Sequence, residues 1–594
     1  MGPGHRKKNE KARDFKGTIK NLIIYCKPFL LQISIIVLFS ALSSILSIIG
    51  PDQLKNLTNI ITAGLMTGID MKGIEHIASI LIVLYLASFT FNVLQAQIMA
   101  VVVNKFGKTM RKDIAKKINK LPLKYFDGTT VGDILSRVTN DVDTIQQSMH
   151  ENIDTLVSAL TMFLGSIIMM FVTDWILALV AIVSSIFGFA LMVIILARSQ
   201  KYFIKIQETL GLINGHIEEV FTGHNIVKAY NAEEEVTREF DNLNNNFFNY
   251  ARKGLFYSGL MQPIMNFIGN FGYVAVCIVG AVLAVNGTIS FGVIVAFMIY
   301  IRLFTQPLSQ FATCFTGMQS MAAAAERVFE FLGEEELETE SPTISDFDKN
   351  SVKGDIEFKN VKFGYNADRL IIRDFSANIK AGQKIAIVGP TGAGKTTIVN
   401  LLMKFYEINE GDILIDGVSI RNITREDVHD LFTMVLQDTW LFEGTIKDNL
   451  RYNQSHIKNE DIVEACKAVG MDHFIRTLPD DYDTILGDTD SLSAGEKQLL
   501  TIARAMLNKT PFLILDEATS SVDTRTEESV QRAMDRLSKG RTSFIIAHRL
   551  STIRNADLIL VMRDGNIIEQ GNHEELLANG GFYAELYNSQ FSED

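Results

Sequence analysis

The hydrophobic pattern of the chain changes near residue 330. Six long apolar stretches precede that point, approximately at residues 29–49, 77–103, 156–172, 175–197, 258–285 and 289–311. A helix needs roughly 20 apolar residues to cross the ~30 Å hydrocarbon core of a bilayer, and each stretch approaches or exceeds that length. Six such stretches in one half of the chain favour membrane-spanning helices over the buried helices of a soluble core. The first half therefore predicts a six-span membrane domain.

The distribution of lysine and arginine predicts the orientation of the spans. Basic residues crowd the N-terminal tail and the segment after the second span, whereas the loop at 51–76 holds only Lys55 and Lys72 and the turn at 173–174 holds none. Because cytoplasmic loops of membrane proteins are enriched in basic residues, both ends of the chain are expected on the cytoplasmic side. The sequence thus predicts a multi-pass protein of the cell (cytoplasmic) membrane, embedded in the lipid bilayer.

The connections on the cytoplasmic side are long, charged and periodic. They cover roughly residues 104–155 and 198–257, which predicts helices that continue below the membrane. About twenty extra helical residues extend such a helix by about 30 Å. Turn-forming residues at 126–133 and 211–215 mark the expected tips of the two loops. We expect these tips to contact the soluble half of the chain.

Polar side chains within or near the spans are candidates for a substrate path: Asn266, Asn270, Arg302, Gln306, Gln310 and Gln319. An arginine inside a span is costly and is a functional candidate by default. Arg302 can equally well pair with a neighbouring helix in a purely structural role, so both interpretations stay open. Pro263 and Pro307 are expected to kink their helices.

The soluble half contains short β-branched runs, and one of them leads into a phosphate-binding pattern. Residues 389–396, GPTGAGKT, fit the pattern G-x-x-x-x-G-K-[ST] between a predicted strand at 384–388 and a predicted helix at 397–405. A glycine-rich turn before a helix directs backbone N–H groups at phosphate oxygens. Lys395 would reach the β- and γ-phosphates, and the Thr396 hydroxyl would ligate Mg²⁺. A chance glycine turn is the alternative, but the strand and helix on either side disfavour it.

Two further predicted strands end in residues suited to nucleotide hydrolysis. Residues 512–515 lead into Asp516 and Glu517. Asp516 can hold Mg²⁺ through its water shell, and Glu517 can polarise a water for attack on the γ-phosphate. Residues 543–547 lead into His548, which can donate a hydrogen bond to the γ-phosphate, although a lone histidine is more often structural.

Three other features surround this candidate site. Tyr365 follows a predicted strand at 355–361 and can stack on a base, or it is an ordinary turn tyrosine. The turn at 492–496, LSAGE, is expected to open a helix at 497–507 and to form a second anion site. Gln437 lies between the phosphate loop and these elements in the sequence.

Charge and composition exclude some kinds of partner and help to predict the domain boundaries. The formal net charge of −12 argues against nucleic acid as the main partner, and none is expected. Residues 1–16 are basic and polar and lack the apolar core of a cleaved signal, which predicts a cytoplasmic tail. The predicted domains are this tail, a transmembrane domain at 17–332, an acidic linker at 333–352 and a nucleotide-binding domain at 353–594.

In this order the motifs resemble an ATP-binding-cassette (ABC) ATPase. The matching segments are 389–396, 437–438, 492–498, 516–523 and 547–549, with further matches at 125–141 and 441–450. Six spans ahead of the cassette resemble an ABC exporter half-transporter of the multidrug and lipid exporter type. The resemblance implies a membrane all-α six-helix transmembrane domain joined to an α/β P-loop ATPase domain.

The resemblance also implies cofactors, a partner and roles for single residues. ATP and Mg²⁺ are the implied cofactors, and two cassettes of a dimer would enclose two ATP molecules. Tyr365 would stack on adenine, Ser493 would contact the γ-phosphate of the opposite site, and Asp523 would lie at the dimer seam. The implied catalytic residues are Glu517, His548 and Gln437, and the implied metal ligands are Thr396, Gln437 and Asp516. The implied nucleotide-binding residues are Tyr365, Gly389, Pro390, Thr391, Gly392, Ala393, Gly394, Lys395, Thr396, Thr397, Ser493, Gly495 and Asp523.

One motif departs from the family pattern. The family signature is LSGGQ, whereas residues 492–496 are LSAGE, so Ala494 adds a methyl group and Glu496 a carboxylate near the phosphates. Glu517 and His548 are intact. This combination resembles the catalytic-glutamate subunit of a heterodimeric bacterial exporter, so a different homologous chain is the expected partner.

The leading interpretation is ATP-driven export of amphipathic or hydrophobic small molecules, drug-like or lipid-like, by alternating access. An importer with an exporter fold and a dedicated peptide or lipid exporter stay open as alternatives. A membrane-anchored regulatory ATPase without transport is the alternative from another class. Glu517 argues against it, because nucleotide sensing requires binding and no activation of water. The sequence leaves the substrate open, since large apolar cavities discriminate weakly.

Overall fold

The computed structural model describes most of the chain. It covers residues 13–337, 340, 344, 347–366, 369–436, 439–487, 492–516, 524–546 and 553–591, and for 66–67, 187–189, 262, 265, 312, 524–526 and 590–591 it describes the backbone alone. The chain forms two compact units. The first contains residues up to Asn119 together with Val131–Glu335, and the second contains Lys120–Thr130 together with the chain from Glu336 onwards.

The first unit is built from helices. Their bounds are α1 Phe15–Tyr25, α2 Leu30–Thr67, α3 Met71–Ile118, α5 Val131–Ser136, α6 Val142–Thr173, α7 Trp175–Thr222, α8 His224–Ala229, α9 Glu233–Val285 and α10 Phe291–Leu332; α4, Leu123–Asp127, belongs to the second unit. A single π-turn, Arg137–Asp141, joins α5 to α6. In the described part of the chain six helical segments are long and apolar enough to cross a membrane. The predicted six-helix membrane domain is confirmed, and its two long connections, at residues 104–155 and 198–257, are largely helical as expected.

The tip of the second long connection was predicted at the wrong position. Residues 211–215 were expected to turn, but α7 continues through both glycines to Thr222, and the chain reverses between Gly223 and Ala232. A glycine inside a helix costs only about 1 kcal/mol relative to alanine. Contacts with α9 offset that cost: Tyr202 stacks on Tyr257 with ring centroids 5.7 Å apart, and His216 Nε2 lies 3.2 Å from Val236 O.

Serine hydroxyl groups form hydrogen bonds between neighbouring helices of the first unit. Ser43 Oγ lies 3.0 Å from Ser88 Oγ between α2 and α3. Ser40 Oγ donates to Asp154 Oδ1 at 2.8 Å between α2 and α6. Polar side chains in an apolar environment must be satisfied within the protein, and small residues allow the close helix approach that this requires. Near the C-terminal end of α10, Arg327 donates two hydrogen bonds to the buried Asp141 of the π-turn.

The second unit is organised around a mixed sheet. Within the described residues ten strands form it, in the order β5-β4-β1-β2-β12-β11-β3-β10-β9-β6. The strands are β1 Ile356–Phe363, β2 Ile372–Ile379, β3 Lys384–Val388, β4 Glu410–Ile415, β5 Val418–Ser419, β6 Phe432–Val435, β9 Phe512–Asp516, β10 Thr542–Ile546, β11 Leu558–Arg563 and β12 Asn566–Gly571, with a separate pair of β7 Gly444–Thr445 and β8 Ile485–Leu486. The five strands β11, β3, β10, β9 and β6 run parallel to one another, whereas β11 and β12 pair in the antiparallel sense.

Helices cover the sheet, and alternate residues of its central strands enter two different cores. The helices are α11 Lys395–Leu402, α12 Arg425–Leu431, α13 Ile446–Arg451, α14 Asn459–Ala468, α15 Asp472–Ile475, α16 Ala494–Leu507, α17 Thr524–Ser538, α18 His573–Ala578 and α19 Phe582–Phe591. Ile385 and Ile387 of β3 pack in the core that contains α11 and α12. Ala386 and Val388 pack in the core that contains α14 and α16. Burial on both faces explains why the parallel strands are continuous apolar runs in the sequence.

The acidic segment after α10 is anchored to the second unit. Glu340 Oε2 accepts a hydrogen bond from the Arg425 backbone N–H at 2.8 Å, and Glu340 Oε1 lies 3.0 Å from Lys404 Nζ. Burial opposes ionisation of the Glu340 carboxyl, but the Arg425 N–H and the Lys404 ammonium outweigh burial and lower its pKa. The linker therefore has a fixed, charged attachment at this residue.

Candidate nucleotide site

The candidate site lies at the carboxyl edge of the parallel strands. β3, β10 and β9 are neighbours in register, with Ile387 beside Ile546 and Ile546 beside Asp516. The phosphate loop follows β3, and Asp516 ends β9. Carboxyl ends of parallel strands meet at one edge of a sheet, and ligands of open α/β sheets bind there. The predicted residues Gln437, Glu517, Asp523 and His548 lie outside the described residues.

The backbone of the phosphate loop depends on its glycines. Gly392 and Gly394 have φ angles of 83° and 101°, a region that residues with a Cβ rarely adopt. A Cβ on Gly389 would lie 2.3 Å from Met562 O of β11, so the loop approaches that strand too closely for any side chain. Pro390 O accepts a hydrogen bond from Ala393 N–H at 3.1 Å, which closes the turn. The loop thus turns its backbone toward the N-terminus of α11.

Lys395 places a buried cation inside this loop. Its Nζ donates to Gly389 O at 2.7 Å and to Pro390 O at 3.2 Å, and the residue is only 8 % exposed. Burial lowers the pKa of Lys395, and the negative charge of Asp516 partly opposes this effect. The two carbonyl groups accept hydrogen bonds from the buried ammonium group but do not neutralise its charge. An anion that enters the loop therefore forms a strong electrostatic interaction with it.

The surrounding groups fit a nucleotide with Mg²⁺. Backbone N–H groups at the start of α11 match phosphate oxygens, and the exposed Thr396 hydroxyl and the Asp516 carboxylate are the hard oxygen donors that Mg²⁺ prefers. Within the described residues no group of three or more His, Cys, Asp or Glu side chains forms a separate metal cluster. These residues therefore suit a magnesium ion that is also bound by phosphates.

Tyr365 lies beside the phosphate-loop helix in an aromatic cluster. Its ring centroid is 5.0 Å from Phe363 and 5.0 Å from Tyr406, both in edge-on geometry, and its hydroxyl lies 3.3 Å from Thr397 Oγ1 of α11. Tyr406 in turn donates a hydrogen bond to Asp127 at the end of α4. This contact confirms the prediction that the first loop tip reaches the soluble half. Tyr406 was not among the predicted site residues. The local sequence marks it only as one of two adjacent aromatic residues, Phe405 and Tyr406, that follow the end of α11.

Comparison with known proteins identifies the family. The model of the ABC transporter transmembrane region matches residues 33–308, and the ABC transporter model matches residues 372–520. The chain is 45 % identical over 520 residues to the fatty acid ABC transporter ATP-binding/permease protein of Mycobacterium tuberculosis (strain CDC 1551 / Oshkosh), covering 87 % of this chain and 82 % of the relative. The chain belongs to the ABC transporter family.

Other relatives agree with an exporter. The chain is 37 % identical to the uncharacterised ABC transporter ATP-binding protein YfiC of Bacillus subtilis (strain 168), covering 98 % of this chain and 96 % of that one. It is 34 % identical to the ATP-dependent lipid A-core flippase of Syntrophus aciditrophicus (strain SB), covering 86 % and 85 %. A solved bacterial Atm1-family ABC exporter with ATP bound matches with a TM-score of 0.74 and 25 % identity, over 96 % of this chain and 99 % of that chain. The chain is therefore an ABC exporter half-transporter with an ATPase domain, and the predicted family, fold class and enzyme class are confirmed.

The signature segment of this ABC transporter forms a capped helix. α16 begins at Ala494 and not at Lys497, so the predicted turn at 492–496 is largely the first turn of the helix. Ser493 caps it: Glu496 N–H lies 3.3 Å from Ser493 Oγ, and Glu496 Oε2 accepts hydrogen bonds from Ser493 N–H at 2.7 Å and Ser493 Oγ at 2.8 Å. This reciprocal capping box explains the earlier start. It also places the Glu496 carboxylate on the Ser493 hydroxyl, the group that the sequence predicted to contact phosphate.

Proposed function

We propose that this ABC exporter moves amphipathic or hydrophobic small molecules, drug-like or lipid-like, across the cell membrane by alternating access. The observation that carries the proposal is the buried Lys395 in a glycine-shaped phosphate loop, within a chain that also has six helices able to span a membrane. The names of relatives support the substrate class, since they include a fatty acid transporter, a probable multidrug resistance transporter and a lipid A-core flippase. We place both chain ends in the cytoplasm on the basis of the basic residues near them.

We assign the site residues as follows. Lys395 and the backbone of the phosphate loop bind the phosphates of ATP, and Tyr365 stacks on the adenine. Thr396, Gln437 and Asp516 hold Mg²⁺, which neutralises phosphate charge and orients the γ-phosphate. Glu517 polarises the attacking water, and His548 donates a hydrogen bond to the γ-phosphate. The arrangement of the described members around the edge of β3, β10 and β9 supports this assignment.

We further propose that the functional unit is a heterodimer. The Ser493 hydroxyl donates a hydrogen bond to the Glu496 carboxylate. The signature of this chain thus has a carboxylate at the position where the family signature has the neutral amide of glutamine. A negative charge near a polyanionic nucleotide is repulsive, and a site built on this signature should close poorly. Glu517 belongs to the opposite site, where a partner chain with a regular signature would complete it. Asp523 would lie at the seam between the two chains.

Two measurements test these proposals separately. Inside-out vesicles from cells that express the chain with its genomic neighbour should accumulate an amphipathic fluorescent dye only when ATP is supplied. ATP hydrolysis without dye movement, for a range of amphipathic dyes, would point to the regulatory ATPase instead. For the heterodimer, ATPase activity is compared between this chain purified alone and the co-expressed pair. A stable, fully active homodimer of this chain would refute the heterodimer and leave the export proposal standing.

A further inference from the structure

Helix α10 exposes a polar stripe within a membrane-spanning segment. Five of its exposed side chains share one face and are polar: Arg302, Gln306, Thr313, Thr316 and Ser320. Their spacings of four, seven, three and four residues keep them on one side of a helix with 3.6 residues per turn. Between residues 292 and 320, Phe315 is the one large apolar side chain exposed on the described part of α10.

The neighbouring span α3 shows the opposite pattern and serves as an internal reference. Its exposed side chains are apolar in the corresponding region, including Ile82, Val83, Leu86 and Phe89. A face of this kind suits lipid tails, because every polar group exposed to hydrocarbon is costly. The stripe on α10 does not suit lipid tails. In the membrane it therefore faces water, a polar ligand or a partner subunit rather than lipid tails.

Arg302 is the only charged member of the stripe, and the described part of the chain provides no partner for it. No carboxylate and no hydrogen-bond acceptor among the described side chains lies within reach of its guanidinium group. It stands eleven residues after Phe291, which begins α10. At 1.5 Å per residue this is about 16 Å along the helix, near the middle of a ~30 Å bilayer core. An unpaired arginine at this depth is costly unless water or an anion solvates it.

The part of α9 that lies beside Arg302 also exposes polar side chains. α9 packs against α10 at this level, since a Cβ on Gly272 would lie 3.6 Å from Ile301 and one on Gly269 would lie 3.9 Å from Thr305 Oγ1. On the same stretch of α9, Asn266 and Asn270 are exposed one turn apart. Two adjacent helices thus expose amide and guanidinium groups at one depth, which favours a binding site over a single stray charge.

We propose that Arg302 binds the anionic head group of the transported amphiphile, a carboxylate or a phosphate, on the polar stripe of α10. A guanidinium group donates two parallel hydrogen bonds to either anion and gives it a preferred orientation. The exposed Gln306 side chain, one turn along the same face, provides a further amide donor. The inference rests on the proposed export function and adds the class of substrate: an amphiphile with an acidic head group.

The test compares matched amphiphiles on the complex that this chain forms in its native membrane, purified through an affinity tag and reconstituted in proteoliposomes. The probes are oleic acid, its methyl ester, oleylamine and 1-oleoyl-lysophosphatidic acid, which share one acyl length and differ in head group. For each probe we measure transport and the concentration that half-maximally stimulates ATP hydrolysis. The variants are Arg302→Gln, Arg302→Lys and, as a charge-matched control outside the stripe, Arg198→Gln near the cytoplasmic end of the α7 span.

We expect the wild type to prefer the acidic probes. Arg302→Gln should raise the half-maximal concentration for them by about 10- to 100-fold, the range for hydrogen bonds to a charged group, and should leave the ester little changed. Arg302→Lys should restore part of the preference, and Arg198→Gln should behave as wild type. A response to oleic acid alone identifies a carboxylate substrate, and a response to the lysophospholipid alone identifies a phosphate substrate; both support the inference.

Four results would overturn it. An equal shift for acidic and neutral probes would mean that Arg302 has a structural role, and loss of the dimer on size exclusion would mean that it pairs with the partner subunit. A wild type that transports the ester or the amine and not the acids would refute the substrate class while leaving export intact. If the complex hydrolyses ATP and transports none of the probes, this inference fails, and the dye-accumulation assay decides separately whether the export proposal stands.

Discussion

Lys395 is buried in the phosphate loop with its ammonium group on two backbone carbonyls, and burial lowers its pKa. The protein solvates this ammonium group poorly, so a phosphate that approaches it stabilises its charge. The adjacent Gly392 and Gly394 adopt φ angles that leave the backbone free to turn toward the same point. At the scale of single residues, the Lys395 charge and the backbone N–H donors of the loop therefore already lie together in the protein without nucleotide.

Lys395→Ala should weaken ATP binding itself. The variant removes the charge that faces the phosphates, and the loss of a charged hydrogen bond corresponds to about 10- to 100-fold in affinity. Equilibrium binding of a fluorescent ATP analogue to the purified protein measures it. Lys384→Ala is a control with a lysine that pairs with Asp535 at the other end of β3. Unchanged ATP affinity in Lys395→Ala would contradict the assignment.

Glu517→Gln should separate binding from hydrolysis. The substitution keeps the size of the side chain and removes the base, which lowers turnover by about two to four orders of magnitude. ATP affinity should stay close to that of the wild type. Steady-state ATPase assays and binding measurements on one preparation of the co-expressed pair make the comparison. Near-normal turnover would remove Glu517 from its catalytic role.

The sequence predicted those residues whose chemistry is encoded in short motifs, and it missed those that depend on distant neighbours. Lys395 and Asp516 follow strands whose ends are visible as apolar runs. Tyr406 and Glu340 gain their roles from Asp127 and Arg425, far away in the chain, and no local pattern marks them. The early start of α16 was missed because the Ser493–Glu496 capping box was taken for a turn.

At the scale of elements, the short helix α4 is tied to the aromatic cluster at the candidate adenine position. Tyr406 donates a hydrogen bond to Asp127 and packs edge-on against Tyr365. Burial and the neighbouring Asp127 carboxylate raise the pKa of Tyr406, so its hydroxyl stays protonated and remains a donor. The contact joins the loop between α3 and α5 to the site through one hydroxyl group.

Tyr406→Phe should impair coupling more than catalysis. It removes the hydroxyl and keeps the ring that supports Tyr365, so ATP affinity should stay within about twofold, whereas stimulation of hydrolysis by transported amphiphiles should fall. Loss of one such hydrogen bond corresponds to about 1 kcal/mol, or roughly fivefold in the docking equilibrium. Asp127→Asn keeps an acceptor and is the matched control. Full stimulation in Tyr406→Phe would contradict a coupling role.

The attachment of the linker at Glu340 should depend on pH. Because the pKa of Glu340 lies below its ordinary value of 4.5, the contact is fully formed above that value and is lost as pH falls through the lowered value. Glu340→Gln should therefore lower the melting temperature by about 2–4 °C at pH 7, for an interaction of about 1 kcal/mol, and this difference should narrow as the pH falls below 4.5. Glu335→Gln, an exposed acid nearby, is the control.

Thermal unfolding of the detergent-purified protein at several pH values makes this comparison. A difference between Glu340→Gln and wild type that does not narrow as the pH falls below 4.5 would show that the carboxylate charge is not responsible.

At the scale of the whole molecule, the six spans and the strand-rich second half were predictable because bilayer thickness and strand burial dictate long apolar runs. The prediction failed where local chemistry competed with packing. Gly211 and Gly215 suggested a turn, but contacts between α7 and α9 keep the helix intact. Likewise, the sequence alone left the role of Arg302 open, since only the structure shows which face of α10 is polar.

The signature segment gives the molecule a built-in asymmetry. Ser493 and Glu496 bond to each other in a chain whose other nucleotide motifs follow the family pattern. One chain thus carries a complete phosphate loop and an altered signature. In the proposed heterodimer, a second chain with the regular signature would complete the site that contains this phosphate loop.

The most direct measurement of the central claim records ATP hydrolysis and substrate movement together. The complex containing this chain is reconstituted in proteoliposomes with ATP outside, and the accumulation of an amphipathic probe is followed beside phosphate release. The account predicts that both signals appear together, and that both are abolished or strongly reduced by Lys395→Ala. Sustained phosphate release without accumulation of any amphipathic probe would contradict the claim that this chain is part of an ATP-driven exporter of such molecules.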